Sequence, residues 1–138
     1  MTIVFNCLIF VQFWQAAVLH DVVEDTDGTL LEIETEFSAE IASIVAEVSD
    51  EKGQPRSVRR QTRIDTAHTL TPNARIVLLA DKLYNCRDAL QARPVGWTDS
   101  DIRGYLEWVA QVVRQIKGSN DILENLLAET LAKGGVTL

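Results

Sequence analysis

The chain has 138 residues, 46% apolar and 24% charged, a balance that fits one globular domain and excludes disordered, collagen-like and low-complexity classes. Its 13 Lys and Arg against 20 Asp and Glu give a net charge of −7. That sign argues against a general nucleic-acid binder, but a local cluster of cations or a metal would still suffice for a phosphorylated small molecule.

The first 19 residues, MTIVFNCLIFVQFWQAAVL, are apolar except where Asn6, Gln12 and Gln15 interrupt them. They have no positive start or basic flank and run straight into His20-Asp21-Val22-Val23-Glu24-Asp25, which favours a buried core helix over a membrane or targeting segment. Asp25-Thr26-Asp27-Gly28 is a turn cluster. Thr29 with Glu32 reads as a capping box that opens a short helix to Phe37. Ser38 caps the next, whose apolar face is Ile41, Ile44, Val45 and Val48. Residues 49–55 form a loop, and a polar helix follows from about Arg56 to His68. Thr71-Pro72 starts another helix, ended by Pro94 and Gly96. Thr98 and Asp101 open a helix through Ile116, and the last runs from about Asn120 to Lys133. No strand pattern and no repeat appear, so the expectation is an all-α bundle of six or seven helices, one domain over residues 1–138. Two cysteines, Cys7 and Cys86, are too few for a disulfide framework and read as reduced thiols of an intracellular protein.

The sharpest local feature is the run from His20 to Asp25. On a helix His20 and Glu24 share a face, as do Asp21 and Asp25. Burying such a quartet after Ala16-Ala17-Val18-Leu19 costs several kcal/mol unless it is partnered, and a divalent cation is a natural partner for imidazole and carboxylate. Asp81 is a second carboxylate in an apolar setting, Ile76 to Ala80, with Asn85 one turn further on the same face. It could reach the cation held by His20 and Asp21, leaving Glu24 and Asp25 to orient or deprotonate an attacking water. The bland alternatives are a mutually satisfied His20–Asp21 pair, an Asp81–Lys82 or Asp81–arginine ion pair, and a polar helix end at Glu24 and Asp25.

Arg56, Arg59, Arg60 and Arg63 fall on one helical stripe, suited to bidentate phosphate recognition or, alternatively, to pairing with Glu47, Asp50, Glu51 and Asp65 on a solvated face. Trp97, Tyr105 and Trp108 could stack on a base, with core packing the plainer role for Trp108. His68 reads as a surface histidine.

Ala16 to Thr26 resembles the HD-domain signature of the RelA/SpoT-type alarmone hydrolases, and Leu79 to Asp88 resembles that family's second signature. Gly96-Trp97 and Tyr105-Leu106-Glu107-Trp108 are similar to its C-terminal helix. The likeness is to the small, stand-alone animal-type members and covers roughly residues 15–138, with residues 1–14 an atypical apolar start. It implies a cytoplasmic, manganese-dependent hydrolase that removes the 3′-pyrophosphate of guanosine 3′,5′-bis(diphosphate), ppGpp, giving GDP and pyrophosphate, and also implies an NADPH 2′-phosphatase activity. His20, Asp21 and Asp81 match the family's metal ligands, Glu24 and Asp25 its water-activating pair. Asn85 and Tyr105 match nucleotide-contacting positions, and Arg56 and Lys82 join them as candidate substrate-binding residues. The family's first metal-ligand histidine, in an upstream Asn-His-Pro context, has no counterpart here. The bundle is therefore expected to be incomplete at its N-terminus, and the alternative reading is a nucleotide-binding or regulatory remnant with impaired catalysis.

Overall fold

The computed structural model describes the backbone of residues 2–138 and the side chains from Trp14 onward. Seven α-helices follow one another among the described residues: α1 Thr2–Asp25, α2 Leu30–Glu36, α3 Ala39–Val48, α4 Arg56–Thr66, α5 Pro72–Gln91, α6 Asp99–Gln115 and α7 Asp121–Lys133, with a 3₁₀ turn at Ala67–Thr69 after α4. There is no strand among the described residues. The expected start signals form. Thr29 and Glu32 close a reciprocal capping box on α2, and Thr98 and Asp101 close another on α6. Ser38 and Asn120 accept the N–H groups of Ile41 and Leu123 at the heads of α3 and α7. The head of α5 is served differently: its own Thr71 side chain makes no cap, and the Glu47 carboxylate of α3 accepts from Thr71 N at 2.8 Å and Thr71 Oγ1 at 2.9 Å. The Glu47 carboxylate is therefore spent on the head of α5 and not on the arginines of α4.

α5 is the hub. It packs against α1, α3, α6 and α7, while α4 lies against α6. Its Val77, Leu78, Leu79, Leu83 and Cys86 enter one continuous core with Ile41, Val45 and Val48 of α3, Leu106, Val109 and Val113 of α6, and Leu127 and Leu131 of α7. Burying chains of this size stabilises the fold by about 1.5–3 kcal/mol each. Gly134 ends α7 where an added Cβ would meet Leu106 Cδ1, so a larger residue there obliges the Leu106 side chain to shift.

The described end of α1 departs from the expectation of a buried core helix. Ala16 and His20 are buried, but Trp14 is 70% and Val18 53% exposed. α1 packs against α3 and α5, and Trp14 and Val18 of its described end stay exposed. No helix among the described residues is long and apolar enough to cross a membrane, and the readings on residues 1–13, Cys7 included, fall outside the described side chains.

Candidate active site

Two helices meet at a polar corner. α1 brings His20, Asp21, Glu24 and Asp25, and α5 brings Asp81, Lys82 and Asn85. His20 is 7% exposed, and its Nδ1 lies 2.8 Å from the carbonyl oxygen of Ala17. A carbonyl can only accept, so Nδ1 carries the proton and, in the neutral ring, Nε2 presents a lone pair. That Nε2 stands 3.1 Å from Asp21 Oδ1 and 3.6 Å from Asp81 Oδ1. A lone pair facing two carboxylate oxygens is repulsive unless a positive charge lies between them, either a proton on Nε2 or a cation. Imidazole and carboxylate oxygens are the donor set of a divalent metal, and an Nδ1 proton anchored on a backbone carbonyl is the usual way such a histidine is aimed. The residues present therefore fit a cation.

Ligand atoms of His20, Asp21 and Glu24 also lie within 4.8 Å of one another. Glu24 is half-buried, and Oε1 accepts from Asp50 N at 2.6 Å. Burial lifts its pKa above the ordinary 4.5, and the Asp50 N–H draws it part of the way back. Asp25 is exposed and shares a cleft with Glu24, Asp50 and Arg59. Asp81 has a second set of partners: Lys82 Nζ at 2.9 Å on Oδ2 and Asn85 Nδ2 at 3.0 Å on Oδ1. The Asp81–Lys82 pair foreseen as the bland alternative thus forms alongside the approach to His20.

Beside this corner lies a cavity of about 230 Å³ in which four cations, Arg56, Arg59, Arg60 and Lys82, face the single carboxylate of Asp50. Asn85 and the rings of Trp97, Tyr105 and Trp108 complete its wall. Arg56 lies over Trp97 at 5.8 Å, Arg60 over Trp108 at 5.3 Å, and Lys82 over Trp108 at 5.0 Å. Trp108 is half-buried and donates from Nε1 to the Arg60 carbonyl at 3.0 Å, so it both packs and lines the pocket. Burial, with Cys86 and Asp81 nearby, pushes the Tyr105 hydroxyl well above the ordinary phenol range, so it stays protonated. Burial, and then the neighbouring Arg56, lower the pKa of Arg60.

The arginine stripe does not act as one. Arg63 is 6% exposed and turned inward, donating to the carbonyls of Glu47 and Val48 at 2.9 Å and of Ser49 at 3.3 Å, and to Asp50 Oδ1 at 3.1 Å. Phosphate recognition is closed to it, because the tail of α3 leaves bare carbonyls that it satisfies. His68 is exposed and remote from the site in sequence and partners, as read. The residue that sequence reasoning underrated is Asp50. Its place in the polar loop after α3 marked it only as a partner for arginine, whereas its N–H holds Glu24. Lys52 of the same loop donates to the Thr26 carbonyl at the end of α1.

An all-α bundle that gathers a histidine and carboxylates from two helices beside a cationic pocket defines a class of metal-dependent hydrolase. The chain belongs to the HD-domain family: the model of that family, the HD domain, matches residues 2–96. The chain is 44% identical over 124 residues to guanosine-3′,5′-bis(diphosphate) 3′-pyrophosphohydrolase MESH1 of Mus musculus, covering 90% of this chain and 69% of that protein. The MESH1 of Drosophila melanogaster is 37% identical over 121 residues, 88% of this chain and 68% of its own length. A solved structure described as a metazoan ortholog of SpoT that hydrolyzes ppGpp and plays a role in starvation responses superposes with a TM-score of 0.85 at 36% identity, over 90% of this chain and 70% of that one.

Proposed function

We propose that this chain is a metal-dependent guanosine-3′,5′-bis(diphosphate) 3′-pyrophosphohydrolase, converting ppGpp and water to GDP and pyrophosphate, with a role in starvation responses. The observation that carries the reading is the meeting of His20 Nε2 with Asp21 and Asp81, from separate helices, at 3.1 and 3.6 Å. Likeness to enzymes of that name over nine-tenths of the chain supports it. Residues 1–138 are read as one hydrolase domain, and the partner is a small nucleotide.

His20, Asp21 and Asp81 would hold one divalent cation. The oxygen-rich donor set, free of thiolate, suits manganese. When bound, the cation supplies Lewis-acid polarisation of the phosphoryl group and a water of lowered pKa. Glu24, more basic than an exposed carboxylate because it is half-buried, takes the proton from the attacking water. Asp25, exposed in the same cleft, orients that water. Asn85, itself held by Asp81, and the protonated Tyr105 offer neutral hydrogen bonds to the nucleotide. Arg56 and Lys82, each set over a tryptophan face, offset phosphate charge.

The test is pyrophosphate release from ppGpp with and without manganese. Wild type should turn over only with metal, and Glu24→Gln should lose about 10²–10⁴-fold in kcat while keeping its metal. Undiminished turnover in Glu24→Gln, or wild-type turnover in chelator, contradicts the mechanism. NADPH in the same assay tests the 2′-phosphatase activity that the resemblance implies.

A further inference from the structure

Three cavities converge on one pair of side chains. Asp50 and Arg59 line the Glu24–Asp25 cleft, the aromatic cationic pocket, and a third cavity of about 310 Å³ between α3 and α4. Arg59 is therefore the cation that borders both the water-activating carboxylates and the pocket for a nucleotide.

Among the described residues its side-chain donors make no hydrogen bond. Arg56, Arg60 and Lys82 rest on aromatic faces, and Arg63 is spent on α3. Arg59 makes neither kind of contact. Its one ion pair, Nη1 to Asp50 Oδ2, spans 3.9 Å, too long for a hydrogen bond. Asp50 is already claimed at 3.1 Å by Arg63. The Nε of Arg59 is buried and has no hydrogen-bond partner among the described residues. A buried guanidinium N–H left unpaired is costly, and the missing acceptor is best supplied by an anion that enters the cleft. The fork of a guanidinium matches two phosphate oxygens at once.

We propose that Arg59 grips the 3′-diphosphate group of the substrate, the one that leaves as pyrophosphate, from its place between the catalytic cleft and the aromatic pocket, with Asp50 as its resting partner. The proposal deepens the hydrolase reading and rests on it for the substrate's identity. Arg63 fixes Asp50, so Arg59 rests in a set place yet is released at small cost.

The test titrates inorganic pyrophosphate into wild type, Arg59→Met and Arg59→Lys by calorimetry, beside KM and kcat for ppGpp. Arg59→Met should weaken pyrophosphate binding and raise KM about 10- to 100-fold, with Arg59→Lys in between. Melting temperature and metal content should stay near wild type, because a long, part-exposed ion pair contributes little. If Arg59→Met fails to fold, Arg59→Lys carries the comparison. Pyrophosphate binding and KM at wild-type values in both variants overturn the proposal, as does a wild type that binds no pyrophosphate. Pyrophosphate binding through Arg59 in a chain that never turns over ppGpp would instead count against the hydrolase reading alone.

Discussion

The Nδ1 proton of His20 is committed to the Ala17 carbonyl, and that one hydrogen bond decides what the other nitrogen can do. Its partner acids could be named from the sequence, because a carboxylate at Asp81 inside an apolar helix demands compensation. Its distance from His20 could not, since nothing local encodes how α1 crosses α5. Arg63 shows the opposite failure. Its spacing put it with Arg56 and Arg59, but the bare carbonyls at the end of α3 captured it. Cys86 offers a test at this scale. Burial pushes its thiol up to about 12, so it stays neutral in the native chain. An unfolded thiol ionises near 9, the ordinary value, and the unfolded chain then binds fewer protons than the native one. Stability from this group is thus complete below pH 9 and is lost as pH rises toward 12. Alkylation of Cys86 at pH 8 should require denaturant, read by mass spectrometry of the Cys86 peptide. Rapid labelling of native protein would contradict the burial.

At the scale of elements, the starts of helices were legible and their partners were not. Thr29–Glu32, Ser38, Thr98–Asp101 and Asn120 announce α2, α3, α6 and α7 by chemistry within three residues. α5 lacked such a mark beyond Thr71-Pro72, because its cap comes from Glu47, 24 positions earlier. The loop of residues 49–55 read only as polar, yet it ties α1 to α3 through Asp50 N on Glu24 and Lys52 on Thr26. Arg63 secures it from below. Arg63→Met should therefore cost about 2–3 kcal/mol, since three carbonyls and the Asp50 carboxylate lose a charged donor at once. Denaturant melts check the loss. A variant as stable as wild type would show that water replaces the arginine freely.

At the scale of the whole molecule, the helical class and the apolar faces followed from period and composition. The reading of the first helix as a buried core helix held in part for its described end: Ala16 and His20 are buried, while Trp14 and Val18 are exposed, and hydropathy alone could not say which face α3 and α5 would cover. The net charge of −7 hid a pocket of opposite sign, because four cations from α4 and α5 line one cavity against the single carboxylate of Asp50. The account's central claim is that α1 and α5 share one cation. Manganese titration by calorimetry, on wild type and Asp81→Ala, tests it most directly. The account predicts one ion per wild-type chain and binding weakened at least about 100-fold in Asp81→Ala, with helix content unchanged by circular dichroism. Equal manganese affinity in the two proteins would contradict it.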